Sequence, residues 1–112
     1  MEDMLSQTEA LGGLLRDHRA EDVAVLDLRE KGTWTDFFVI ATATSDAHLD
    51  GLERHVRDFC QERKIQVLRR SRKPQGIPGQ STIDEWRIID LGSIVVHLMS
   101  DRARKFYDLE RI

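Results

Sequence analysis

The chain has 112 residues, of which 40% are apolar and 33% charged, with a net charge of −3. That length predicts one domain over residues 1–112 around one modest core, and the acidic balance argues against sequence-independent nucleic-acid binding, which needs many Lys and Arg contacts to phosphates. The lone cysteine, Cys60, excludes an internal disulfide and a cysteine-based metal site. No apolar run is long enough for a membrane helix, and the acidic start MEDMLSQTEA lacks the character of a targeting segment, so a cytoplasmic protein without membrane association is expected.

In chain order, Ser6 and Glu9 stand at capping-box spacing ahead of Leu11, Leu14 and Leu15, which predicts a helix over roughly residues 4–18. Gly12 and Gly13 cost that helix about 2 kcal/mol relative to Ala. DVAVLDLRE reads as a strand, with Val23, Val25 and Asp27 on one face and Ala24, Leu26 and Leu28 on the other. A turn at Gly32 leads to DFFVIATAT, apolar on both faces and therefore central in a sheet. Leu49, Leu52, Val56 and Phe59 form one apolar stripe on the next helix, capped by Ser45 or Asp46. IQVLRR is a short third strand, and SRKPQGIPGQSTIDE a loop with two prolines and two glycines. WRIIDLG and SIVVHLM are the fourth and fifth strands, joined tightly at Gly92 and Ser93. DRARKFYDLERI is the last helix, capped by Ser100 or Asp101, with Phe106 and Leu109 toward the sheet. The order α-β-β-α-β-β-β-α, with two strand pairs that read as hairpins, predicts an α/β fold with a five-stranded mixed sheet flanked by helices, not a doubly wound parallel one.

Chemical motifs are mostly excluded by spacing. His48 and His55 share a helix but stand seven apart, about 10.5 Å along its axis, where a helical zinc pair needs three or four. They read as two solvent-side histidines, and no metal site is expected. Cys60 beside Phe59 reads as a buried small hydrophobe with no base to activate it. Gly12 and Gly13 belong to no phosphate-loop pattern. A Gly-Gly pair followed by a strand with Asp27 resembles the start of a nucleotidyltransferase site, which needs Asp-x-Asp or Asp-x-Glu to hold metal ions. Here the second position is Arg29, and a cation cannot be that ligand. Arg69, Arg70, Arg72 and Lys73 cluster in an otherwise acidic chain, as solvated charge or as a phosphate contact. Trp34, Trp86 and Tyr107 stand near element ends, and such aromatics serve either as core or as binding anchors.

The ordered series VAVLDLREKGTWTDFFVIATATSDAHLDGLERHV, WRIIDLGSIVVHLM and RKFYDLERI resembles the ribosomal silencing factor family, RsfS, also called the Iojap family. The resemblance runs from about residue 20 to the end. It departs in a longer, basic connection between Leu68 and Trp86 and in Ser93 after Gly92, where Asp is common. It implies a nucleotidyltransferase-like fold without that activity. It also implies binding to the universal protein fourteen of the large ribosomal subunit, a steric block to subunit joining that lowers translation in starvation, and homodimers. Family members in organelles act in large-subunit assembly.

Under that reading the partner-binding residues are Trp86, Asp90, Leu91, His97 and Tyr107, with peripheral ribosomal RNA contact from Arg69, Arg70, Arg72 and Lys73. No cofactor is implied. Two other readings stay open: a nucleotidyltransferase-like enzyme using Asp27 with Asp36 or Asp90, and a homodimeric adaptor without a ribosome role. In SIVVHLM, Ile94, Val96 and Leu98 share one face and Val95, His97 and Met99 the other, so His97 is either a packed residue or the edge of a partner surface.

Overall fold

The computed structural model describes residues 3–72 and 86–106, with burial unassigned for 70–72. Helix α1 (Met4–Asp17) leads into strands β1 (Glu21–Asp27) and β2 (Phe37–Ala43). Helix α2 (Asp46–Glu62) follows, then β3 (Arg69–Arg72), β4 (Trp86–Asp90), β5 (Ile94–Ser100) and helix α3 (Asp101–Phe106). The strands form one mixed sheet in the order β1-β2-β5-β4-β3. Only β2 and β5 run parallel; the other neighbouring pairs are antiparallel. Both expected hairpins are present.

Strand alternation divides the sheet into two faces. On the first, Phe37, Val39 and Ala41 of β2, Ile89 of β4, and Ile94, Val96 and Leu98 of β5 pack against α1 and α2. The α2 stripe of Leu49, Leu52, Val56 and Phe59 is buried there, as its helical spacing requires. On the second, Phe38, Ile40, Val95 and Met99 cluster with Leu28 and with Ala103 of α3. β2 is buried along its whole length, which matches its apolar character on both sides.

The caps explain where the helices start and stop. Asp3 caps α1, its carboxylate accepting from the Ser6 amide at 2.7 Å. This corrects the Ser6–Glu9 capping box: with Asp3 as N-cap, Ser6 sits inside the first turn. Ser45 caps α2 as expected, accepting from the His48 amide at 3.0 Å. Both long helices end in six-to-one loops closed by Ala20 N–H to Leu15 O and Ile65 N–H to Cys60 O, at 2.9 and 2.8 Å. The residues that turn these ends, Arg19 and Lys64, have φ of 68° and 58° without being glycine.

The second loop explains why the third strand starts late. Ile65 and Val67 are spent packing against the helix-covered core. The β ladder begins only where Leu68 N–H donates to Asp90 O at 2.8 Å. The strand is therefore Arg69–Arg72, beyond the apolar run expected to form it, and it takes in two residues assigned to the loop. Phe106 is a second correction: it is 78% exposed, and Ala103, one turn earlier, makes the contact with the sheet. Leu109, Tyr107, Lys73 and the rest of the 73–85 connection lie outside the described residues.

Candidate partner-binding site

The second sheet face is built by alternate residues of β2, β5 and β4. Ile88 of β4 stands opposite His97 of β5, and Trp86 opposite Met99. Trp86 and Ile88 are half-buried against this cluster. His97 is 6% exposed, with the Phe38 ring edge-on at 4.5 Å and an interplanar angle of 70°. The Trp86 indole N–H donates to His97 Nδ1 at 3.0 Å.

That bond fixes the tautomer. Nδ1 is an acceptor, so the neutral ring carries its proton on Nε2. Burial pushes the imidazole down to about 4, so it is neutral near pH 7. Nε2 is itself buried and has no hydrogen-bond partner among the described residues. A net hydrogen bond contributes about 1 kcal/mol, while an unsatisfied buried donor costs about 1–3 kcal/mol. The histidine therefore gives the fold no net stability over an apolar residue of similar size.

Asp90 and Leu91 occupy the opposite end of β4 from Trp86. Asp90 Oδ1 accepts from the Gly92 amide at 2.8 Å, which holds the tight turn, where Gly92 has φ of 90°. The Asp90 side chain is 13% exposed, and Arg69 lies 3.9 Å from its second oxygen. The Leu91 amide donates to Ile94 O at 2.8 Å, and its side chain packs toward the helix-covered core. Trp86 and His97 are thus in contact, while Asp90 and Leu91 belong to the hairpin turn. Arg69, Arg70 and Arg72 lie together on β3, at the edge of the sheet.

The rival chemistry can be tested on geometry. Arg29 does not merely replace a carboxylate; it grips Asp27 with Nε and Nη2 at 2.9 and 2.6 Å. Hydrogen bonds from Arg29 hold the Asp27 carboxyl at about 2. Among the described residues no group of three His, Cys, Asp or Glu side chains is placed to hold a metal ion. Cys60 is buried and its thiol is pushed up to about 11 by that burial, the setting of an inert core cysteine. Among the described residues no helix is long and apolar enough to cross a membrane.

Two features escaped the sequence reading. The His18 and His55 rings stack at 3.5 Å, and His48 bridges Thr44 N–H, at 3.0 Å, to His18 O, at 2.8 Å. His48 and His55 are thus tied to the end of α1 and are not simply solvent-side. Arg87 is buried between β4 and α2, 2.6 Å from Asp50 and 2.9 Å from Glu53. Its signal was present: alternation in WRIID puts Arg87 on the face of Ile89. Trp34, read from the sequence as either core or binding anchor, is not core: it is 69% exposed, on a loop whose Thr35 hydroxyl donates to Gly92 O at 2.9 Å.

Comparison with known proteins agrees with this fold. The chain is 42% identical over 104 residues to a Treponema pallidum protein named ribosomal silencing factor RsfS, covering 92% of this chain and 86% of that one. It is 34% identical to the RsfS of Bacillus subtilis, covering 86% of this chain and 75% of that one. It is also 32% identical to the chloroplastic Iojap protein of Zea mays, where 96% of this chain covers 43% of the longer plant protein. A crystal structure from Chromobacterium violaceum superposes with a TM-score of 0.80 at 23% identity, covering 98% of this chain and 85% of that one, and supports the fold alone. A family model described as ribosomal silencing factor during starvation matches residues 2–112. With the match spanning nearly every residue and the expected order of helices and strands in place, the chain belongs to the RsfS family.

Proposed function

We propose that this protein is a cytoplasmic, non-catalytic factor that binds the large ribosomal subunit through its universal protein fourteen. There it sterically blocks subunit joining and represses translation when nutrients are short. The observation that carries this reading is the family match over residues 2–112, joined to a second sheet face whose half-buried Trp86 is suited to anchor a protein partner. Partner binding is assigned to the surface formed by Trp86, Asp90, Leu91 and Tyr107, with His97 belonging to it through its hydrogen bond with Trp86. Homodimers are part of the proposal, as is peripheral ribosomal RNA contact by Arg69, Arg70, Arg72 and Lys73. The mixed sheet is read as nucleotidyltransferase-like in ancestry without nucleotidyl transfer, because Arg29 grips Asp27 and, among the described residues, no group of three His, Cys, Asp or Glu side chains is placed to hold a metal ion.

The test is co-sedimentation with purified large subunits. The protein is expected to pellet with large subunits and to reduce formation of joined ribosomes when small subunits are added. Trp86→Ala is expected to lose roughly 30-fold in affinity, the cost of truncating a true anchor. A protein that stays in the supernatant at micromolar concentration would instead fit the homodimeric adaptor. Changing Arg69, Arg70, Arg72 and Lys73 to Ser tests the RNA contact, which requires a flatter salt dependence of binding.

A further inference from the structure

We infer that His97 is a positioning residue that presets Trp86 for its partner rather than a residue that touches the partner itself. The inference rests on the proposed anchoring role of Trp86. His97 is 6% exposed and its Nε2 is fully enclosed, so the ring offers a partner almost no surface. Its one described hydrogen bond is spent on the Trp86 indole N–H, at 3.0 Å. Phe38 meets the imidazole edge-on at 4.5 Å and Ile88 stands opposite it in the ladder, so the acceptor has little freedom to swing away.

Among the described residues the indole is held by its ring against the second cluster and by its N–H on a nearly immobile acceptor. A large aromatic held in one orientation before binding loses less rotamer freedom on association, and that saving appears as affinity. The His97 Nε2 has no hydrogen-bond partner among the described residues. An apolar side chain at this position would avoid burying an unpartnered N–H, yet the polar ring stands there. What it uniquely provides is the Nδ1 acceptor. The indole N–H is committed inside the protein, so Trp86 meets its partner through ring surface, and the matching partner element is apolar or aliphatic rather than a hydrogen-bond acceptor aimed at the indole.

The experiment uses the whole chain in a Trp34→Phe background, so that the remaining indole N–H resonance belongs to Trp86. Four variants are compared with this parent for melting temperature, indole chemical shift and affinity for isolated large ribosomal subunits: His97→Leu, His97→Asn, Trp86→Ala and the double variant His97→Leu with Trp86→Ala. His97→Leu is expected to melt no lower than the parent, to shift the indole resonance upfield, and to lose roughly tenfold in affinity, the scale of one hydrogen bond. His97→Asn keeps an acceptor near the Nδ1 position and is expected to retain a downfield resonance and most of the affinity. Adding Trp86→Ala to His97→Leu is expected to cost no more than Trp86→Ala alone, as coupled residues do. Full affinity in His97→Leu while Trp86→Ala binds poorly overturns the positioning role and leaves the anchor standing. Equal losses in the Leu and Asn variants also overturn it. Full affinity in Trp86→Ala removes the anchor and the positioning role with it, and leaves subunit binding itself standing.

Discussion

The two faces of this sheet are made by the same strands yet covered by different elements. The first lies under α1 and α2, and Leu11, Leu15, Val39, Leu52, Val56, Val96 and Leu98 there are wholly enclosed. The second also encloses Ile40 and Val95 completely, but it meets only the short α3 among the described helices and holds a histidine whose Nε2 has no hydrogen-bond partner among the described residues. Period-two alternation assigns a residue to a face but says nothing of what covers that face. The lesson is that the stable face and the candidate working face separate on cover and polarity rather than on apolar content.

The sharpest way to break this comparison is to truncate one side chain on each face. Leu52→Ala removes a fully enclosed side chain under the helices and is expected to cost about 2–5 kcal/mol, the transfer term plus a cavity. Ile88→Ala on the other face is expected to cost about 1–2 kcal/mol, because a half-buried side chain recovers only part of its transfer free energy. Urea unfolding of both variants measures the two losses. Equal losses would mean that the second face is closed as tightly as the first.

Acid sharpens the contrast next. The His97 imidazole is held at about 4 by burial, against an ordinary value of 6.5 for the unfolded chain. Protonation therefore favours unfolding. The stability that His97 contributes is fully present above about pH 6.5 and is lost as pH falls through 4, a total of roughly 3 kcal/mol. His55 is lowered too, first by desolvation and then by His18, and acts in the same direction. Melting curves from pH 7 to pH 4 should fall steeply in the parent and less steeply in His97→Leu. Parallel curves would place the acid sensitivity on the first face, at the histidine stack.

A smaller effect tests Arg87, the charged group buried beneath the helices among the described residues. Glu53 is 18% exposed and holds Arg87 at 2.9 Å, whereas Asp50 is 64% exposed at 2.6 Å. The shorter contact is the weaker one in free energy, since solvent screens it. Glu53→Ala is expected to cost about 1–2 kcal/mol and Asp50→Ala less than about 1 kcal/mol. The reverse order by thermal melting would show that distance, not screening, sets the strength of this clamp.

Much of the fold was legible before any coordinates. The α2 stripe and β2 were readable because strong periodicity and continuous apolarity each admit one solution. Where two signals competed, the reading failed. Ser6 and Asp3 are both good caps, and only chain geometry chose Asp3. Ile65 and Val67 look like a strand, but the helix end turns them into the core first. Among the site residues, Trp86 and His97 were named from sequence, but their mutual hydrogen bond was not. It joins residues 11 apart on adjacent strands and depends on register. The His18–His55 stack was invisible for the same reason, since the spacing rule examined one helix while the stack joins two.

The smallest effect concerns how closely the first face is covered. Gly12 and Gly13 sit side by side in α1 and look like equal liabilities in the sequence. A Cβ at Gly12 would stand 3.3 Å from a Val25 methyl and 3.7 Å from Val23, so α1 presses on β1 there. A Cβ at Gly13 would meet nothing within 4 Å. Gly13→Ala is therefore expected to stabilise the protein by about 0.5–1 kcal/mol, the ordinary helix-propensity gain. Gly12→Ala has the same propensity gain but must push the valine aside, and overpacking of this kind offsets a gain of that size, leaving stability within about 0.5 kcal/mol of the parent or below it. Chemical denaturation of the two single variants resolves the difference. If both stabilise equally, α1 does not lie against β1 as tightly as the geometry implies, and the first face is less closed than the contrast with the second requires.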